Sequence, residues 1–381
     1  MRILAAGVAL LLAASALAAP APLAKYDAGG GGFIDDPFAL RDDGKAVAYI
    51  TTDGATAATL HLAEVGGKEV KVAGAPVDAV ALHWLSPSRV LIVRGHGGTS
   101  TAQAFTAAGE EKQKLGPFDR LALGTLDGKR AVVTYSRSEK RGVEHALVAY
   151  AVDTLRPIKR RTWREDAEGQ IKQGTTSLKP LWWSDAFTVL AALRAGEYDK
   201  ARDVRRPVRY VRVDALVGKI LEEREVSDVL AFTQIGLLRR DAPNAAVLAR
   251  YSDDHKQLLV VDGIGEYELA LPRELRRYDA NTLAWQTLDD RRVAMSLTID
   301  PVNPDAVARQ KADVDVIDFF AIDRQTHAVR PLLQLQGEGR RSTWQVAGDR
   351  LLLLRKGKGF DRGGVALEVY QMADGEHIAK P

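Results

Sequence analysis

The fold is decided by the segment RDDGKAVAYI, residues 41–50, and by LHLAEVGGKEVKV, residues 60–72. The first segment has a tight Asp-Gly turn that leads into an apolar strand. The second has an alternating strand, a glycine turn and another strand. Each segment therefore predicts a β-hairpin, and the two together predict one antiparallel four-stranded unit.

The same two patterns alternate along the rest of the chain. The tight-turn pattern occurs at 41–50, 85–94, 126–135, 183–193, 240–251, 288–297 and 346–355. The second pattern occurs at 60–72, 102–115, 147–159, 210–223, 258–271, 318–332 and 367–379. The spacing between corresponding turns averages about 51 residues.

A run of four-stranded units with this spacing predicts an all-β fold, a single β-propeller of seven four-stranded blades. Six or eight blades are the alternatives. Two β-sandwich domains are the nearest rival, but they would not show one continuous alternation of the two hairpins. Helical patterns are nearly absent, which excludes α/β barrels and Rossmann folds.

The N-terminus has the pattern of a secretory signal peptide in residues 1–18. Arg2 precedes an apolar run, and Ala16-Leu17-Ala18 has the small residues of a cleavage site. Cleavage near Ala18 predicts a periplasmic or secreted protein. No other stretch of the sequence is long and apolar enough to predict a membrane span.

The remaining boundaries follow from composition and from the repeat. Residues 19–32 end in four glycines and are expected to be a flexible lead-in, and residues 33–381 are expected to form the propeller. The last unit, with LEVYQMADGEHIA at 367–379, contains its own second hairpin. The ring is therefore expected to close by packing, without an N-terminal strand crossing over.

The repeat resembles the WD-like repeat of two groups of propellers, and Asp43-Gly44-Lys45 and Asp127-Gly128-Lys129 match it best. One group is the periplasmic TolB propeller. The other is the N-terminal propeller of prolyl-oligopeptidase and dipeptidyl-peptidase-IV enzymes. The resemblance implies architecture rather than chemistry, since propellers carry many unrelated functions. TolB-type proteins also have an α/β domain before the propeller, and residues 19–32 are too short for one.

Composition and motifs argue against several kinds of chemistry. The net charge of +3 does not predict nucleic-acid binding. No G-x-S-x-G nucleophile elbow and no P-loop occur, and the blades leave no room for a hydrolase domain. The histidines are scattered without metal-ligand spacing, and Asp313, Asp315 and Asp318 are expected on a solvated strand edge. The sequence predicts neither a cofactor nor a metal site.

Strand order predicts which side of the propeller binds a partner. If each unit has strands A to D, the B–C loops and the links between units share one face, which we call the B–C face. The longest loops lie there, and loops on a rigid scaffold commonly carry recognition. Residues 156–212 hold 14 basic and 7 acidic residues, and the densest basic run gives the candidate binding residues Lys200, Arg202, Arg205, Arg206 and Arg209.

Three functions remain open on the sequence alone. The leading one is a non-catalytic scaffold that binds a protein or peptide of the cell envelope, with an anionic envelope polymer as another ligand for the basic run. The second is a lyase or glycan hydrolase with its site at the axial mouth, for which His96 and either Asp254 or His255, all in B–C loops, are the candidates. His96 and His255 are also candidate binding residues of the B–C face. The third is an orphaned propeller that works beside a separate peptidase.

Overall fold

The computed structural model describes the chain in segments, almost all of them strands. These are residues 20–30, 37–53, 57–95, 97–138, 144–164, 171–173, 176–183, 188–193, 198–199, 204–205, 209–214, 219–225, 248–251, 257–262, 265–271, 278–288, 291–299, 316–336, 343–356 and 364–372. Within these segments one 3-10 turn, Gly97–Thr99, is the single helical element. No helix in the described segments is long and apolar enough to cross a membrane.

Five antiparallel sheets of four strands make up most of the described chain. The first blade contains β2 (Phe38–Leu40), β3 (Ala46–Asp53), β4 (Ala57–Glu64) and β5 (Glu69–Ala73). The second contains β6 (Ala79–Ser86), β7 (Arg89–Arg94), β8 (Ser100–Thr106) and β9 (Gly109–Phe118). The third contains β10 (Arg120–Leu126), β11 (Lys129–Ser138), β12 (Glu144–Ala151) and β13 (Pro157–Arg164).

The other two four-stranded sheets come from the C-terminal part of the chain. The fourth blade contains β24 (Tyr278–Thr287), β25 (Arg292–Ile299), β26 (Val316–Asp323) and β27 (Val329–Gln336). The closing blade contains β28 (Thr343–Ala347), β29 (Arg350–Lys356), β30 (Gly364–Gln371) and, from the other end of the chain, β1 (Ala24–Gly30).

Three further assemblies of strands lie between the third and fourth blades in sequence. A five-stranded sheet contains β14 (Ile171–Gln173), β15 (Thr176–Trp183), β16 (Thr188–Leu193), β19 (Arg209–Asp214) and β20 (Lys219–Glu225). A hairpin contains β17 (Tyr198–Asp199) and β18 (Val204–Arg205). A three-stranded sheet contains β21 (Leu248–Tyr251), β22 (Leu258–Asp262) and β23 (Gly265–Leu269).

The described residues therefore show five four-stranded blades, and the prediction of seven was wrong. The repeat units predicted at 183–223 and 240–271 form the five-stranded and the three-stranded sheets instead. The first of these gains the short strand β14, which pairs with β15. Neither unit has an Asp-Gly pair at its first, tight turn, where the best-matching repeats have Gly44 and Gly128.

The blades are arranged as a single β-propeller, as the sequence predicts. The innermost strand β2 contacts the innermost strands of its two neighbours, β6 of the second blade and β28 of the closing blade. Apolar side chains fill the space between adjacent sheets. Leu60 and Phe105 lie in the cluster between the first and second blades, and Phe319 and Leu351 lie in the one between the fourth and closing blades. Burial of both faces of each sheet stabilises the ring.

The ring closes through an N-terminal strand, so the expectation of closure by packing was wrong. Strand β1 pairs antiparallel with β30, from Ala24 opposite Val369 to Gly30 opposite Gly364. The backbone N–H of Leu23 extends the ladder by donating to the Val369 carbonyl at 2.7 Å. Residues 24–30, placed by the sequence in the flexible lead-in, thus supply the outer strand of the closing blade.

Glutamine side chains join the innermost strands of neighbouring blades. The backbone N–H of Leu40 donates to Gln345 Oε1 at 2.8 Å, and Gln345 Nε2 donates to the Phe38 carbonyl at 3.0 Å. Gln286 makes the equivalent pair of bonds one blade earlier, to the backbone of Trp344 and Val346. Each amide satisfies a backbone donor and a backbone acceptor, as buried peptide groups require.

Replacing this amide in Gln345→Leu is expected to lower the free energy of unfolding by about 2 kcal/mol. The variant leaves the Leu40 N–H and the Phe38 carbonyl without their partners at the junction of the closing and first blades. Urea denaturation followed by tryptophan fluorescence measures the loss. Gln325→Leu is the control, because Gln325 is exposed in a turn. Equal stability of the two variants would contradict the role of the amide.

Candidate functional site

The longest connections between consecutive strands of one sheet that pair with each other lie on the B–C face. In the five four-stranded blades, the A–B and C–D turns have between two and five residues. On the B–C face, residues 194–208 separate β16 from β19, and residues 300–315 separate β25 from β26. This asymmetry makes the B–C face the better candidate for a binding surface.

The hairpin β17–β18 is inserted in the first of these long connections. Tyr198 lies opposite Arg205, and Asp199 lies opposite Val204. The strands before and after the insertion, β16 and β19, pair with each other in the five-stranded sheet. The insertion therefore leaves the sheet after Leu193 and returns to it at Arg209.

Four of the five candidate basic residues belong to this insertion, the fifth follows it directly, and the structure describes only two of the five. Arg205 is the last residue of β18, and Arg209 is the first residue of β19. Lys200, Arg202 and Arg206 lie outside the described residues. His96, Asp254 and His255, the candidates for an axial site, also lie outside them.

A hydrogen-bond network in the first blade was missed by the sequence analysis. His61 is only 5% exposed, and its Nδ1 lies 2.9 Å from Glu69 Oε1. Its Nε2 lies 2.7 Å from the hydroxyl oxygen of Thr51. Tyr49 donates to the same Glu69 oxygen at 2.5 Å, and its ring stacks on the imidazole at 4.4 Å. The residue spacing held no motif, because the three strands β3, β4 and β5 bring these side chains together.

The order hydroxyl, imidazole, carboxylate is the order found in nucleophilic relays. With Nδ1 donating to Glu69, Nε2 is left to accept from the Thr51 hydroxyl. The packing, however, ties the group to ring closure. Tyr26 of β1 lies 5.7 Å from the Tyr49 ring, and its hydroxyl donates to the Glu64 carbonyl. We therefore assign the network to the junction between the closing and first blades.

Burial and hydrogen bonding shift the pKa values of Tyr49 and Glu69 in this network. Burial raises the pKa of Tyr49 well above its ordinary value, and donation to the negative Glu69 raises it further. Burial on its own raises the pKa of Glu69, but the bonds from Tyr49 and His61 outweigh it and leave the pKa below its ordinary value. The carboxylate is thus held ionised between two donors.

A second network lies where β1 meets β30. Glu368 is 7% exposed, and Arg355 and Tyr370 both donate to its Oε2. Lys25 of the N-terminal strand lies 3.2 Å from its other oxygen. Burial raises the pKa of Glu368, while Tyr370 and the two cations lower it, and the net shift is downward. Burial and the bond to Glu368 raise the pKa of Tyr370 to about 12.

One aspartate that was expected to be exposed to solvent is buried in the structure, and the described part of the chain shows no metal cluster. Asp318, expected on a solvated edge, is 5% exposed and accepts from Gln334 Nε2 at 2.5 Å. Asp313 and Asp315 lie outside the described residues. Within the described segments, no three His, Asp or Glu side chains are grouped closely enough to hold a metal ion.

The protein is expected to lose stability in mild acid because of His83 in β6. Burial, followed by the positive charge of Arg130, lowers the pKa of His83 from 6.5 to about 4. Between these values the unfolded chain binds a proton that the folded chain does not. The free energy of unfolding is therefore expected to fall as the pH falls from 6.5 through about 4, by up to ~1.4 kcal/mol per pH unit.

The measurement is urea unfolding at several pH values for the wild type and for His83→Gln. The variant lacks the titrating ring, so its stability is expected to change less over this range. His327→Gln, which removes an exposed histidine, serves as the control. A pH profile of His83→Gln as steep as that of the wild type would contradict the assignment.

Comparison with known proteins finds similar folds. No protein-family model matches the sequence, and no curated protein matches it. The chain is similar to the β-propeller domain of the Trilobed protease from Pyrococcus furiosus, with 11% identity, a TM-score of 0.48 and coverage of 92% of this chain and 100% of that one. It is similar to BamB from Moraxella catarrhalis, with 13% identity, a TM-score of 0.36 and coverage of 90% and 85%.

A peptidase is a third structure with this similarity. It is the acylaminoacyl peptidase from Pyrococcus horikoshii, with 13% identity, a TM-score of 0.45 and coverage of 92% of this chain and 52% of that chain. At such identities the similarity concerns the fold alone. The chain's own sheet order and blade contacts identify it as a β-propeller.

Proposed function

We propose that the chain is an exported, non-catalytic scaffold that binds an acidic protein or peptide of the cell envelope through its B–C face. The observation that carries the proposal is the hairpin β17–β18, which is inserted in a B–C connection. Residues 198–209, which contain this hairpin, include five basic residues. A basic insertion on a rigid ring suits recognition of an acidic surface.

The N-terminus supports the export part of the proposal. The signal-like segment ends near Ala18, and strand β1 begins at Ala24. Cleavage at Ala18 would therefore leave intact the strand that closes the ring. N-terminal sequencing of the protein recovered from the envelope of its host is expected to begin at Ala19. An intact Met1 in that material would contradict export by cleavage.

The binding part is tested by crosslinked capture with the tagged protein expressed in its host envelope. One variant changes Lys200, Arg202, Arg205 and Arg206 to Ser. The control changes Lys45, Lys68, Lys112 and Lys129 to Ser, which removes the same charge from four exposed positions away from the insertion. Captured proteins are identified by mass spectrometry, and binding is then measured with the purified partner.

The proposal expects a stoichiometric protein that binds the wild type and the control and binds the insertion variant at least tenfold more weakly. The same loss for both variants would show that net charge alone drives binding, and it would contradict a site on the insertion. Capture of an anionic polymer in place of a protein would contradict the class of partner.

A further inference from the structure

Strand β13 has one unpaired edge within the described part of the chain. It is the last strand in the order β10–β11–β12–β13, so its inner edge pairs with β12, and no described strand pairs with its outer edge, although β14 approaches β13. The N–H and C=O groups of such an edge are suited to pairing with an added strand.

The charge of β13 sets it apart from the other outer strands. Pro157–Arg164 contains four basic residues and no acidic ones. The outer strands β5, β9 and β1 each carry balanced charges, β20 and β23 have more acidic than basic residues, and β27 has a single Arg and no acidic residue. In β9, for example, Glu110 and Glu111 offset Lys112 and Lys114.

The side chains at the start of β13 are open to solvent. Arg156, Ile158, Lys159 and Arg160 are all exposed, and 53% of the Ile158 surface is accessible. Ile158 lies where the register with β12 shifts between Ala149 and Tyr150. A large apolar side chain is therefore exposed among cations on this edge strand.

The alternation of side chains along β13 indicates which residues an added strand would need. Lys159 and Arg161 lie on one face of β13 and Arg160 lies on the other, whereas Ile158 lies at the register shift, where the alternation is interrupted. Cross-strand neighbours lie about 5 Å apart, so acidic residues at alternate positions of an added strand would face Lys159 and Arg161. An apolar residue of the added strand next to the register shift would contact Ile158. Cations on the edge would repel a second basic strand, including another copy of β13.

We propose that the outer edge of β13 binds an extended segment of alternating acidic and apolar residues by strand addition. The segment's backbone extends the third blade by one strand, and its carboxylates pair with the cations of β13. This site lies on the outer rim and not in the β17–β18 insertion. Its failure and the failure of the proposed scaffold function are therefore distinguishable.

The probe is a fluorescein-labelled ten-residue peptide of alternating Glu and Val, and its binding to the mature protein is followed by fluorescence anisotropy. The test variant carries Lys159→Glu and Arg160→Glu. The matched control carries Lys112→Glu and Lys114→Glu, which makes the same charge change at two exposed positions of another outer strand. A second peptide has N-methyl groups at alternate residues, so it keeps its charge and loses the N–H groups of one edge.

We expect saturable binding to the wild type and the control, at least tenfold weaker binding to the test variant, and loss of binding by the N-methylated peptide. Circular dichroism verifies that both variants are folded. Absence of binding to the folded wild type would overturn the proposal. Equal binding to the wild type and the test variant would also overturn it. Equal binding of both N-methylated and plain peptides would rule out strand addition.

Discussion

A chain that lacks residues 1–31 is expected to lose about 5 kcal/mol of stability or more relative to a chain that begins at Ala19, which is comparable to the whole stability of a marginal domain. Removing β1 leaves β30 with an unpaired edge and removes Ala28 and Tyr26 from the cluster between the closing and first blades. It also removes Lys25 from the buried Glu368. Thermal unfolding and limited proteolysis measure the effect, and early cleavage is expected in β30.

Addition of the missing strand in trans separates this role from a general effect of truncation. A synthetic peptide of residues 20–32 is expected to raise the melting temperature of the shortened chain, because it restores the ladder with β30. The control peptide replaces Tyr26 and Ala28 with Asp, which places charges in the apolar cluster. If the shortened chain melts within a degree or two of the longer one, β1 does not hold the ring closed.

The sequence was sufficient for the fold class, although not for the number of blades, because the repeated turns are local signals. The Asp-Gly turns at Gly44 and Gly128 occur as predicted, with φ of 70° and 73°. Closure was not predictable in this way. The segment AKYDAGG at 24–30 does alternate, and Ala24, Tyr26 and Ala28 pack in the cluster between the closing and first blades. It is short, it ends in glycines, and its partner strand lies at the other end of the chain, so the local pattern does not specify what it pairs with.

The loop that carries the candidate site was predictable from strand order, whereas contacts between side chains were not. Strand order placed Arg205 in a long B–C loop, and the structure describes a hairpin there. Arg209 is the first residue of the strand that follows, and a binding role for either residue stays a prediction. The network of Thr51, His61 and Glu69 was not visible, because it depends on the register of three strands. Spacing along the chain predicts metal loops and helical motifs well, but it does not report which side chains meet across a sheet.

Gly44→Ala is expected to destabilise the protein by about 3 kcal/mol, from backbone strain and a clash together. The φ of +70° at Gly44 is one that residues with a Cβ seldom adopt. A Cβ there would lie 2.7 Å from the Ala347 carbonyl oxygen and 2.8 Å from Arg350 Cγ, both in the closing blade. The turn has little room to shift, because the Gly44 N–H donates to the Arg41 carbonyl and the Lys45 N–H donates to Asp43.

Gly128→Ala supplies the matched control for this prediction. Gly128 occupies the same turn position in the third blade with φ of +73°, and a Cβ there would meet no atom within 4 Å. Its substitution therefore carries the backbone strain without the clash and is expected to cost about 1 kcal/mol. Urea denaturation measures the loss in free energy of unfolding for both variants. The difference between the two losses is the cost of the clash between the turns of the first and closing blades. Equal losses would mean that these two turns do not press on each other, and ring closure would then depend on the inner amides and the outer strand.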